Sequence, residues 1–274
     1  MDSTEARTQL KGTFPFRLGT TSFIVPDHIL PNVRFLSQTV NDIELLILES
    51  DEIAELPSPA EVARFHEIAE ANDLTFTVHL PLDIQLGSDD EQIRQQSLGK
   101  CLRVMERLQP VDPFAWILHL TDAPTEGNAG STSRWLEQNR RSLDSLLPAT
   151  ASPRALCIET IEYDFELVND LIEELDLGVC LDVGHLMLDG RDVRAHWNAW
   201  RDRIRVVHLH AVNAEGRDHA DLSHMDNEML NWLLKEMLTD ANFPRVVTLE
   251  VFSESKLSAS LKTLEEWKKR ICQK

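Results

Sequence analysis

The chain has 274 residues, enough for one large α/β domain. Lys and Arg number 27 against 46 Asp and Glu, a formal net charge of −19 that repels polyanions and argues against long nucleic acid as a substrate. Hydrophobic residues make up 42% of the chain, an ordinary fraction for a folded core, yet no apolar run approaches the ~20 residues of a membrane span.

Met1 to Lys11 is polar and mixed in charge, without the apolar core of a signal peptide. The four cysteines, Cys101, Cys157, Cys180 and Cys272, are widely spaced, and Cys157 and Cys180 sit inside apolar runs as small buried hydrophobes. That usage suits a reducing compartment, so the expectation is a cytoplasmic protein with no membrane partner.

Residues 1–14 read as a disordered tail, and residues 15–274 as one domain. Residues 16–22 form the first expected strand, and Pro26-Asp27 opens a helix carrying Ile29, Leu30, Val33 and Leu36 on one face. Residues 42–49 form a second strand, almost continuously apolar, as in a parallel strand covered on both sides. Ser58-Pro59 starts the next helix with a cap followed by proline in the first turn. The alternation then repeats. Strands are expected at 74–80, 115–120, 155–160, 178–182, 204–210 and 246–251. The helices between and after them fall at 91–108, 133–147, 165–175, 193–200, 227–238 and 257–271. Strict alternation implies a parallel sheet, and eight strand–helix units in this length favour closure into a single (β/α)8 TIM barrel.

Helix-to-strand connections are mostly short, whereas 81–90, 121–132 and 211–226 are long strand-to-helix loops. In such barrels the active site lies at the C-terminal face, where those loops gather. The same face collects chemistry-bearing side chains. Apolar runs end in His79, His119, Glu159, Asp182, His210 and Glu250, with His185 just after Asp182. A carboxylate closing a buried strand is costly unless something pairs with it. One histidine at a strand end is usually satisfied by hydrogen bonds alone; seven such side chains at six strand ends point to a metal centre. Imidazole with carboxylate suits Zn2+, with Mn2+ or Fe2+ as alternatives, and the set is large enough for one to three ions. Such ions would activate water and clamp the oxygens of a phosphoryl transfer, with Glu159 and Glu250 as the catalytic carboxylates.

His208 and His210 share one side of the seventh strand, and only one need be a ligand. His210 is nearer the mouth, and His208 belongs in the layer below. In the seventh loop Asp218 and His219 are favoured over His224. Glu49 lies near the C-terminal end of the second strand and could contribute to the site, while Phe23 and Ile24, with Pro26 and Leu82, could supply an apolar mouth for substrate.

The order His79, His119, Glu159, Asp182-Val-Gly-His185, His210, Asp218-His219, Glu250 resembles the xylose-isomerase-like barrels, which include endonuclease IV-type apurinic endonucleases and many sugar isomerases and epimerases. The endonuclease pattern places one residue between the seventh-loop Asp and His, which are adjacent here. Leu18-Gly-Thr-Thr-Ser-Phe-Ile-Val-Pro-Asp27, Ile29-Leu-Pro-Asn-Val-Arg34, Asp42-Ile-Glu-Leu45 and Thr77-Val-His-Leu-Pro-Leu-Asp83 are similar to the cobamide-remodelling phosphodiesterases. That resemblance implies hydrolysis of the phosphodiester in the nucleotide loop of cobalamin-type cofactors. The products would be cobinamide phosphate and an α-riboside, in corrinoid salvage, and the substrate a small-molecule corrinoid. A metal-dependent sugar isomerase or epimerase is the competing expectation.

Overall fold

The computed structural model describes residues 10–47, 56–124, 129–161, 163–240 and 243–272. Eight strands close in chain order into one parallel barrel: β1 (Arg17–Thr21), β2 (Asp42–Leu46), β3 (Thr75–His79), β4 (Ala115–Leu118), β5 (Leu156–Glu159), β6 (Gly178–Asp182), β7 (Ile204–Leu209) and β8 (Val246–Leu249). The ring closes where β8 pairs with β1, with Thr248 opposite Gly19. The helices are α1 (Ile29–Leu36), α2 (Pro59–Asn72), α3 (Glu91–Leu108), α4 (Ala129–Leu146), α5 (Asn169–Glu174), α6 (Val183–Leu188), α7 (Val193–Trp200), α8 (Asn227–Thr239) and α9 (Glu254–Cys272). None of the described helices is long and apolar enough to cross a membrane.

Successive side chains of a strand point to opposite faces, and here the two faces do different work. Ile43, Phe76, Trp116, Leu181, Val207 and Leu249 belong to the main core between strands and helices. Ala115, Ile117, Cys157, Cys180 and Val206 form a separate apolar plug. Two residues further along their strands, the plug positions lead to His119, Glu159, Asp182 and His208. Period-2 alternation therefore carries these polar side chains to the same wall of the barrel, nearer its C-terminal end.

The helix starts follow their caps. Ser58 and Glu61 form a reciprocal capping box around Pro59, and Asp90 accepts from the backbone N–H groups of Gln92 and Ile93 at the start of α3. At two helix-to-strand turns Asp73 and Asp176 take left-handed backbone conformations, φ 46° and 51°, which short polar side chains tolerate better than most.

Two expectations are revised. The tail expected over residues 1–14 does not extend over 10–14. Leu10 is buried, Phe14 stacks on Phe16 with ring centroids 4.8 Å apart, and the Lys268 ammonium donates to the Thr13 carbonyl at 3.0 Å. A helix absent from the sequence reading, α6, begins directly after β6, because Asp182 caps it: its Oδ1 accepts the His185 backbone N–H at 2.7 Å.

Candidate metal centre at the barrel mouth

Glu159, at the end of β5, is almost wholly buried and sits among three imidazoles. Its Oε2 lies 2.8 Å from His119 Nε2 and 3.3 Å from His79 Nε2, and its Oε1 lies 3.1 Å from His208 Nδ1. His79 Nδ1 is 2.8 Å from the Leu80 carbonyl, which can only accept, so Nδ1 carries the proton. Nε2 of a neutral His79 then presents a lone pair to a carboxylate oxygen. Those two atoms face each other comfortably only with a cation, a proton or a metal, between them.

A second cluster is built around Asp182 and Glu250. Asp182 Oδ2 is 3.0 Å from His185 Nδ1, and its Oδ1 is 3.2 Å from His210 Nε2. Glu250 Oε2 lies 3.4 Å from His208 Nδ1 and 3.6 Å from both His210 Nε2 and His219 Nδ1. Asp218 Oδ2 lies 3.5 Å from His185 Nε2 and 3.7 Å from His219 Nε2. Neighbours in an extended chain point to opposite sides, but His219 is left-handed, φ 47°, and this bends the backbone so that the adjacent Asp218 and His219 face one place. The loop is held by paired backbone hydrogen bonds between Ala211 and Ala220, and by the Lys256 ammonium donating to the His219 carbonyl at 2.9 Å.

Among the described residues, ligand-type atoms lie within 4.8 Å of one another in His79/His119/Glu159, in Asp182/His185/His210, in His185/Asp218/His219 and in His210/His219/Glu250. Asp182 Oδ2, His185 Nδ1, His210 Nε2, His219 Nδ1 and Glu250 Oε2 are all buried without a hydrogen-bond partner. An unsatisfied buried polar atom costs about 1–3 kcal/mol, and the donor types gathered in this cluster fit a divalent cation as their shared partner.

Electrostatics agree. Burial opposes ionisation of Glu159, but His208 and His119 outweigh it and hold the carboxyl well below its usual range. Burial likewise opposes ionisation of Asp182, and His210, His185 and His208 reverse it, leaving that carboxyl well below its usual range too. Glu250 goes the other way: burial, reinforced by Asp182, Glu159 and Glu44, pushes it well above. For His185 burial works against the charged form, yet contact with Asp182 raises the imidazole to about 10. His219 is lowered to about 4 by burial and by His210.

Every metal-type residue expected from the sequence and described here, His79, His119, Glu159, Asp182, His185, His210, Asp218, His219 and Glu250, comes to this mouth. His224 does not; it faces Asp221, at 3.9 Å. Phe23 lies exposed, at 49%, on the loop after β1. Ile24 is a correction. It is 3% exposed, in the core, because buried Asn32 accepts the backbone N–H groups of Ile24 and Val25 at 2.9 Å and turns the loop inward. Glu49 lies outside the described residues. Two participants were not picked out from the sequence. Phe252 is 39% exposed, its ring edge-on to His219 with centroids 4.8 Å apart; its signal was its position two residues past Glu250. Glu44 is fully buried, 3.0 Å from His208 Nε2; its signal was a carboxylate inside an apolar strand.

Fold and centre together define a barrel of a particular class. Residues 40–271 match the family described as xylose isomerase-like TIM barrel, and the chain belongs to that family. Members of this superfamily are enzymes, and they often bind divalent metals. Among solved structures the chain is similar to a D-tagatose 3-epimerase-like protein, at 15% identity over 94% of this chain and 98% of that one, TM-score 0.73. It is also similar to D-psicose 3-epimerase from Clostridium cellulolyticum, at 14% identity over 92% and 98%, TM-score 0.69. Endonuclease IV from Thermus thermophilus is similar at 21% identity over 93% and 99%, TM-score 0.68. These likenesses are of fold. No curated protein matches the chain in sequence.

Proposed function

We propose that the protein is a metal-dependent phosphodiesterase that hydrolyses the nucleotide-loop phosphodiester of cobamides, giving cobinamide phosphate and an α-riboside, in corrinoid salvage and remodelling. The observation that carries this reading is the size of the ligand set. Overlapping groups of imidazoles and carboxylates, with Glu159 shared by His79, His119 and His208, exceed what a single ion needs. Bound divalent ions would supply positive charge to phosphoryl oxygens on both sides of a displacement.

His79, His119, Glu159, Asp182, His185, Asp218, His219 and Glu250 would hold them, with His210 or His208 from β7. Glu159 and Glu250 are the proposed catalytic carboxylates: without a metal His208 and His119 hold Glu159 well below the usual carboxylate range and burial holds Glu250 well above it, so Glu250 would release a proton on taking a cation. A corrinoid is broad and partly apolar. Four large hydrophobic side chains stand exposed on segments that follow strand ends: Phe23 after β1, Leu82 after β3, Leu188 in α6 and Phe252 after β8. The net charge of −19 disfavours a nucleic-acid substrate. The N-terminal resemblance to cobamide-remodelling phosphodiesterases supplies the substrate class.

The second reading is a sugar epimerase. It is favoured by the opposed carboxyls Glu159 and Glu250, an acid–base pair for proton transfer, and by epimerases among the similar structures. Incubation of metal-loaded protein with cobalamin and, separately, with a panel of ketoses, followed by mass spectrometry, decides between them. Release of an α-riboside supports the phosphodiesterase, whereas ketose interconversion with intact cobalamin overturns it.

A further inference from the structure

Glu44 lies inside the barrel on β2, fully buried, and among the described residues no lysine or arginine pairs with it. Its Oε2 is 3.0 Å from His208 Nε2, and its Oε1 has no hydrogen-bond partner. A carboxylate kept away from water without a fixed cation is costly, so its one contact matters. An ionised carboxylate only accepts, so His208 Nε2 must donate. In the neutral ring Nδ1 then carries the lone pair, and Nδ1 faces Glu159 Oε1 at 3.1 Å, Glu250 Oε2 at 3.4 Å and Asp182 Oδ2 at 3.5 Å. Three carboxylate oxygens and one imidazole lone pair converge there.

His210 is wired in the opposite sense. Its Nδ1 accepts the His219 backbone N–H at 2.9 Å, a contact that outweighs the 3.4 Å approach of the same nitrogen to the Ala211 carbonyl. The proton of a neutral His210 therefore sits on Nε2, toward Asp182 and Glu250, where it is a donor.

We propose that Glu44 is a positioning residue: by accepting the Nε2 proton of His208 it turns Nδ1 of that ring, as a lone pair, toward Glu159, Asp182 and Glu250. His208 is then the β7 ligand for a divalent cation, and His210 a hydrogen-bond donor beside it. This rests on the metal reading above. A carboxylate behind a ligating imidazole fixes its tautomer and raises its basicity, and losing such a partner typically weakens metal affinity about 10–100-fold.

The test uses full-length, metal-stripped protein and Zn2+ in competition with a chromophoric chelator. Glu44→Gln preserves size and removes the charge. It is expected to weaken Zn2+ binding about 10–100-fold, and Glu44→Asp, one methylene shorter, to weaken it less. In a His208→Ala background the Glu44→Gln change should have no further effect, a coupling that a merely structural role would not produce. Equal affinity of Glu44→Gln and the unaltered protein, or additive losses in the double variant, overturns the role of Glu44 alone. Failure of the unaltered protein to bind Zn2+ overturns the metal reading itself. If Glu44→Gln does not fold, Glu44→Asp is measured alone and in the His208→Ala background against the same criteria.

Discussion

Gly184 stands against the face of the His210 ring, and its lack of a side chain is a condition for the centre. A Cβ built there would lie 2.0 Å from Cε1, 2.2 Å from Nδ1 and 2.4 Å from Nε2 of His210. No small adjustment relieves three contacts to one rigid, fully buried ring, so Gly184→Ala must displace it. Overpacking of this kind costs about 1–3 kcal/mol. Losing the hydrogen bond from the His219 N–H adds about 1–3 kcal/mol if that donor stays buried. Alanine in α6 returns up to about 1 kcal/mol of helix propensity. The terms leave a loss with a middle value of about 3 kcal/mol, or about 5 °C in melting temperature for a chain of this size. Gly99 in α3 provides the control, since a Cβ there meets nothing within 4 Å; Gly99→Ala should raise the melting temperature slightly. Differential scanning calorimetry on both variants, with a Zn2+ titration of each, measures the effect. A Gly184→Ala protein that melts within a degree or two of the unaltered one and binds Zn2+ equally would refute the reasoning.

Three further outcomes are expected. Asp42, buried on β2, has its carboxyl pushed up to about 6, chiefly by burial and despite hydrogen bonds from Thr75 and Thr77. Its folded value exceeds the unfolded ~3.9, so the folded state binds more protons between them. Asp42 should therefore contribute about 3 kcal/mol less to stability as pH rises from ~4 through 6, against an opposite contribution from His219, lowered to about 4. The difference in urea midpoint between Asp42→Asn and the unaltered protein should shift by that amount across the range. A difference that stays constant with pH would count against it. Chelation should lower the melting temperature and added Zn2+ restore it, because an ion at about one hundred times its Kd contributes about 2.7 kcal/mol; indifference to both would sink the centre. Phe23→Ser and Phe252→Ser, at exposed positions, should shift stability by no more than about 0.5 kcal/mol while raising KM for cobalamin. Ile24→Ser should instead cost about 3 kcal/mol through loss of core packing, read by urea denaturation.

The barrel was legible because its signals are local and repeated. Each strand is a short apolar run, each helix an amphipathic stretch, and eight repeats leave few closed arrangements. The mouth was legible for a related reason: in parallel strands, side chains closing apolar runs gather at one end whatever their separation in the chain. What escaped depends on contacts that no spacing encodes. Ile24 sits in a loop motif like that of Phe23, and only the Asn32 amide, eight residues on, decides that it turns inward. Helix α6 was hidden because Asp182 read as a strand terminus, yet its carboxylate also caps the turn that carries His185. Glu44 looked like one charge in an apolar run. Its partner His208 lies 164 residues away, and their pairing needs the closed barrel.

Because the imidazoles and carboxylates come from β3 through β8, no contiguous stretch of the chain assembles the set. Glu159 meets His79, His119 and His208 only when distant strands have found their places in the ring. On the proposed metal reading, ion capture would therefore be a late event that reads out complete assembly of the ring. The choice among zinc, manganese and iron would then depend on which of them the surroundings supply when the ring closes, since such donors rank these ions by intrinsic affinity and not by biological need.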